Sequence, residues 1–169
     1  MSVLSDNWLF EHGEEIFTPF HREQVNPASY DLKLDNRFVD LHTGLEKSAD
    51  EITLSPPRLQ YSERTGIYTL DNGAAVLAST WEYIRIPIDC CAAVFLKSSM
   101  ARLGLDHALA GWVDPGFEGN LTLELHAHRD ITLHAGQRVI QIVIYELERA
   151  SAFPYHGKYK GQVGPTRAR

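Results

Sequence analysis

Alternating or continuous apolar stretches recur along the chain at intervals of about ten residues, separated by Gly, Pro, Asn and Asp. Period-2 alternation marks a strand with one wet face, and a short unbroken apolar run marks a strand covered on both. On that basis Tyr30 to Leu34, Gly66 to Leu70, Ala74 to Thr80, Glu82 to Ile88, Cys91 to Leu96, Leu121 to Leu125 and Val139 to Leu147 read as strands. Asp71, Asn72 and Gly73 have the composition of a hairpin turn joining the second and third. Cys91 to Leu96 suits burial on both faces. Helical signals are few: Asn7 to Phe10 behind a Ser5 N-cap, and Ser98 to Leu103. The pattern predicts an all-β sandwich, jelly roll or barrel with a few short helices.

Composition narrows the class. A chain of 169 residues can bury a core without covalent staples, and its two cysteines, Cys90 and Cys91, are adjacent and could hardly supply any. The sequence lacks an apolar run of membrane-spanning length and a signal-peptide start, so a reducing, cytoplasmic setting is the expectation. A net charge of −6 argues against nucleic-acid and anionic-membrane partners. That charge is segregated: after Glu148 there is no acidic side chain, while Arg149, Lys158, Lys160, Arg167 and Arg169 are basic. Such a tail is either a frayed, solvated terminus or a reach for a small polyanion.

Three places could carry chemistry. In KSSMARLGL, Lys97 to Leu105, a serine pair opens a helical turn whose free N–H groups and Arg102 could cradle phosphate; the same residues also read as a cap and a surface charge. Glu124 shares a strand face with Thr122 and His126, opposite Leu121, Leu123 and Leu125. If that face lines a pocket, a partly desolvated carboxylate is a candidate acid/base; if it meets solvent, Glu124 is a surface charge. The eight histidines read mostly as surface or strand-end residues. They accompany neither HExxH nor CxxC, and although HxE occurs at His12-Gly13-Glu14 and His21-Arg22-Glu23, the PCxxC that zinc-dependent base deaminases pair with it is missing.

Five segments together resemble the dCTP deaminases of the dUTPase-like superfamily: QVNPASYDLKL (Gln24 to Leu34), KSSMARLGL (Lys97 to Leu105), AGWVDPGFEGNLTLEL (Ala110 to Leu125), AGQRVIQI (Ala135 to Ile142) and KYKGQVGPT (Lys158 to Thr166). The resemblance implies a distorted jelly-roll, dUTPase-like (β-clip) subunit, a single domain over 1–169, with the basic segment 149–169 closing over nucleotide. It implies a homotrimer with sites at subunit interfaces and dCTP-, dUTP- or dTTP-type nucleotides as ligands. The activity implied is zinc-independent deamination of dCTP to dUTP and ammonia, with Mg²⁺ accompanying the triphosphate. By motif position Glu124 matches the catalytic glutamate, and Ser98 and Arg102 match the serine and arginine that support it and the phosphates. Lys97, Ser99, Met100 and Ala101 complete that cradle. Ala110, Val113, Asp114 and Gln141 match substrate contacts, and Thr122 and Leu123 flank the glutamate. Tyr155, Lys158 and Gln162 match residues that close over nucleotide.

In a branch that releases dUTP, arginine and alanine stand where this chain has Trp112 and Gln141. The pattern here is more similar to the branch that continues to dUMP and diphosphate, in which Asp114 would activate the second water. Ile140 stands where glycine is usual and would add bulk beside the pocket, and Ala168 stands where serine is usual. A dUTPase without deamination and a nucleotide-binding regulator of the same fold are the alternatives.

Overall fold

In the computed structural model, which describes residues 2–47, 59–62, 66–108 and 110–168, antiparallel ladders carry the architecture. One sheet orders Trp112–Val113, Cys90–Leu96, Arg138–Glu146, Ser29–Lys33 and Val25–Asn26, with Ser2–Val3 added on the Arg138–Glu146 strand. A second orders Leu105–His107, Thr122–Ala127, Ala75–Ser79, Phe38–Asp40 and Glu46–Lys47. Two three-stranded sheets complete the set: Glu118–Gly119, Tyr83–Arg85 and Phe17–Thr18, and Ile131–His134, Ile67–Leu70 and Leu59–Ser62. This is the all-β jelly-roll-like subunit expected, with α-helices only at Asp6–Ile16 and Ser98–Arg102 among the described residues.

Alternation decides what the core contains. Tyr30, Leu32 and Leu34 point inward from one strand, Ile140, Ile142 and Ile144 from its partner, and Leu123, Leu125 and Ala127 from the second large sheet. The first helix is longer than its expected four residues because Leu9, Gly13 and Ile16 recur at helical spacing against the core. Gly13 lies against the Phe20 ring, where a Cβ would collide.

Two expectations are corrected. Asp71, Asn72 and Gly73 form a turn, with Gly73 at φ +82°, but no hairpin follows. Ile67–Leu70 pairs with Leu59–Ser62 and Ile131–His134, whereas Ala75–Ser79 pairs with Thr122–Ala127 and Phe38–Asp40. The turn passes the chain from one sheet to another, because each flanking strand finds its hydrogen bonds at long range. The Cys90–Leu96 strand is covered on both faces at its start but on one face only further along: Cys91 and Ala92, on opposite faces, are buried, while Phe95, on the face of Cys91, is 47% exposed. A run of apolar residues carries no information about whether the second face has a partner in the same chain.

One buried carboxylate ties the sheets beneath the site. Glu82 is fully enclosed; Gln24 Nε2 donates to its Oε1 at 2.7 Å and the Lys33 amide to its Oε2 at 2.9 Å. Burial dominates these bonds and holds its carboxyl above the usual 4.5. The folded protein therefore keeps a proton that the unfolded chain releases, so this group's contribution is complete below pH 4.5 and is lost as pH rises through the raised value. Glu82→Gln should flatten that part of the stability profile in thermal melts between pH 4.5 and 8; parallel profiles for the two proteins would show that Glu82 does not titrate there.

Candidate active site

Glu124 owes its position to its neighbours in sequence. Leu123 and Leu125 are each 1% exposed, so the alternation of the Thr122–Ala127 strand turns Thr122, Glu124 and His126 to the opposite face. Glu124 pairs in register with Leu77 of the Ala75–Ser79 strand, and both line a pocket of 510 Å³. Of the residues expected at the site, Ala110, Val113, Asp114, Thr122, Glu124, Tyr155 and Gln162 line this pocket. The alternative of a solvated Glu124 face is thereby set aside for Thr122 and Glu124, although His126 lies outside the lining.

The Glu124 carboxyl is partly desolvated. Its Oε2 and the Nε2 of His107 are both buried without a hydrogen-bond partner, and they face each other at 3.7 Å. Burial holds the Glu124 carboxyl above its usual range and pushes the His107 imidazole below its own, so each is driven toward its neutral form. His107 is the residue that sequence reading missed. His107 is a strand-end residue, as expected of most of the histidines, but a buried one, because it alternates with Asp106 on a three-residue strand and takes the inner side with Leu105. A Leu-Asp-His alternation was the available signal, and it is too short to distinguish from a loop.

The tail forms one wall. The Tyr155 amide donates to the Pro115 carbonyl at 2.7 Å, Gly161 to Glu118 at 2.7 Å, and Asn120 to the Gln162 carbonyl at 3.0 Å. The Thr166 amide donates to Thr122 Oγ1 at 3.1 Å. Gly119 permits this docking: its φ is +141°, and a Cβ there would press on the Gln162 backbone. Tyr155, Tyr159, Gln162, Thr166 and Ala168 thus close over the same space as Glu124, in place of the frayed terminus that charge alone allowed. Arg167 donates to the Gly44 carbonyl, and Lys160 lies 3.8 Å from Glu118. Arg169 lies outside the described residues.

The remaining expected residues stand elsewhere on the chain. Lys97, Ser98, Ser99, Met100, Ala101 and Arg102 form the Ser98–Arg102 helix and its N-cap, outside the pocket lining. Ser98, Ser99, Ala101 and Arg102 are exposed, whereas Met100 packs in the core and its sulfur accepts the Gln137 amide at 3.4 Å. Leu123 faces the core, so only its backbone can meet a ligand. Gln141 sits on the Arg138–Glu146 strand opposite Phe95, and Lys158 lies exposed in the tail with its ammonium 5.0 Å from the Tyr159 ring centre. Ile140, expected to crowd the pocket, is fully buried in the core instead, because strand alternation turns it inward. Asp114 keeps one oxygen engaged: Trp112 Nε1 donates to its Oδ1 at 3.1 Å. Among the described residues no three His, Cys, Asp or Glu side chains converge as a metal-holding group, and no helix is long and apolar enough to cross a membrane.

The model of the dCTP deaminase-like family matches residues 3–147. The chain belongs to that family. A protein of Persephonella marina named dCTP deaminase, dUMP-forming is 36% identical over 95% of this chain and 91% of its own. Proteins of the same name from Methanosphaera stadtmanae and Streptomyces griseus are 34% and 36% identical, covering 98% and 99% of this chain and 92% and 94% of theirs. Among solved structures, a 2′-deoxycytidine 5′-triphosphate deaminase from Agrobacterium tumefaciens shares the fold, with a TM-score of 0.64 and 21% identity over 84% of this chain. This chain spans 47% of that longer one. The matched family segment includes the Glu124 strand and the Ser98–Arg102 helix but stops short of the tail that walls the pocket.

Because burial and not a charged neighbour raises the Glu124 carboxyl, its carboxyl carbon should titrate above 4.5 by NMR in the nucleotide-free protein. His107→Phe should leave that midpoint raised. A return to the ordinary value in this variant would assign the shift to the imidazole.

Proposed function

We propose that the protein deaminates dCTP hydrolytically and carries the product on to dUMP and diphosphate. The observation that carries this reading is the half-buried Glu124 carboxyl at the wall of a pocket, in a chain whose family relatives are named dUMP-forming dCTP deaminases. Glu124 takes a proton from the attacking water and delivers it to N3 of cytosine, which makes C4 electrophilic. Water oxygen bonds to C4, the proton of the resulting hydroxyl passes by way of Glu124 to the exocyclic amine, the C4–N bond breaks to release ammonia, and a C4 carbonyl remains. A carboxyl held above its usual range suits this shuttle, since its two protonation states lie closer in energy near neutral pH. Val113, Thr122 and Ala110 shape the space for base and deoxyribose, and Asp114, with one oxygen steadied by Trp112, activates the water that attacks the triphosphate.

Magnesium enters as part of the substrate, its ligands mainly phosphate oxygens and water. Arg102 and the Ser98 hydroxyl meet the phosphates and support Glu124. Because that helix lies outside the lining of its own chain's pocket, these two groups come from a neighbouring subunit of a homotrimer. The tail 149–169 belongs to the same single domain and acts as the cover, with Tyr155, Lys158 and Gln162 nearest the nucleotide. The buried, free Cys90 and Cys91 accord with a reducing cytoplasm.

Purified protein given dCTP and Mg²⁺ should release ammonia together with dUMP and diphosphate, read by anion-exchange chromatography. Accumulation of dUTP would remove the second step, turnover of dUTP but not dCTP would leave a dUTPase, and binding without turnover would leave a regulator. Glu124→Gln should lower ammonia release by more than about 100-fold while dCTP binding stays within about threefold, and undiminished activity would take Glu124 out of its role.

A further inference from the structure

The first signature segment, Gln24 to Leu34, contributes nothing to the pocket lining, yet it buries two polar side chains almost completely, Gln24 and Asp31. We propose that Asp31 is a positioning residue for the nucleotide's phosphates, acting through Lys97 on the turn that opens the Ser98–Arg102 helix. The inference rests on the dCTP reading above and gives the segment a part in it.

The Lys97 ammonium lies 2.5 Å from Asp31 Oδ2, and the Arg138 guanidinium lies 3.8 Å from the same oxygen. Asn26 Nδ2 donates to Asp31 Oδ1 at 3.0 Å, and Gln24 Nε2 donates to the Asp31 carbonyl at 2.6 Å. Gln24 is itself bonded to the enclosed Glu82, so Asp31 is held from both its backbone and its side chain. Lys97 is held at two points as well, by its ammonium on Asp31 and by its amide donating to the Val139 carbonyl at 3.0 Å.

Lys97 matters because the helix hangs from it. Its carbonyl accepts the first helical bonds, from Met100 at 2.9 Å and Ala101 at 3.1 Å, while its side chain makes no capping bond. Whatever fixes Lys97 therefore fixes the direction in which Ser98 and Arg102 project. The ion pair also neutralises Lys97, which leaves the exposed Arg102 and the Ser98 hydroxyl to meet the phosphates. A five-residue helix has too few internal bonds to hold its own orientation, so an anchor in the sheet beneath supplies it.

Asp31→Asn, Lys97→Met and the double variant should be compared with wild type and Arg102→Ala for dCTP turnover, for binding of dCTP and of deoxycytidine, and for melting temperature. Asp31→Asn should raise KM for dCTP about tenfold with kcat within about threefold, because a misplaced cradle costs binding before chemistry. It should weaken dCTP binding much more than deoxycytidine binding, since only the former reaches the cradle. Adding Lys97→Met to Asp31→Asn should cost little more. Equal losses for both ligands, fully additive effects, or a lower melting temperature with unchanged KM would reduce Asp31 to a core ion pair. If Asp31→Asn does not fold, Lys97→Met carries the same comparison of ligands with the same two outcomes. A wild-type protein that neither binds nor turns over dCTP refutes the functional reading itself. An active wild type that loses dCTP turnover with Arg102→Ala but not with Asp31→Asn refutes only the role of Asp31.

Discussion

The site depends on the register of one strand. Leu123, Leu125 and Ala127 occupy the core from alternate positions of Thr122–Ala127, and each buried leucine is worth about 2 kcal/mol of removal from water. A slip of one residue would expose both leucines and drive Glu124 into the core without a partner. Hydrophobic burial therefore determines which face Glu124 takes. The same burial, incomplete on the pocket side, raises its carboxyl, which supports the acid and base role proposed for it.

Around this strand a small set of buried polar groups sets the pocket's shape. Asn120, 7% exposed, donates from Nδ2 to the Thr80 and Glu82 carbonyls and accepts from Gly164 at Oδ1. One amide thereby ties the loop that carries the enclosed Glu82 to the tail that covers the pocket. Each of these groups would be costly to leave unpaired once buried, which makes the network a constraint on where the tail can lie. The acidic body and basic tail meet in the same region, with Lys160 beside Glu118.

The Ser98–Arg102 helix lies outside the pocket lining of its own chain. The outer face of the Cys90–Leu96 sheet is partly open, with Phe95 and Trp112 more than 40% exposed although Cys91 on the same face is buried. An open apolar face and a helix set apart from the pocket of its own chain are the two features that support the proposed assembly of copies of this chain.

From the sequence alone, the all-β class, the face carrying Glu124, the turn at Asp71 to Gly73 and the family segments were legible, because each depends on residues close together in the chain. Period-2 alternation and turn chemistry are local properties, and ordered motifs survive in one dimension. What the tertiary structure decided is long-range. The turn at Gly73 joins two sheets and not two strands of a hairpin, because strand partners are chosen across the chain. His107 comes to face Glu124 through a three-residue strand whose alternation is too brief to read. Ile140 turns into the core and away from the pocket, and Lys97 spends its charge on Asp31, sixty-six positions earlier. Pairings of that kind are set by packing in three dimensions, where sequence separation costs little once the sheets have formed.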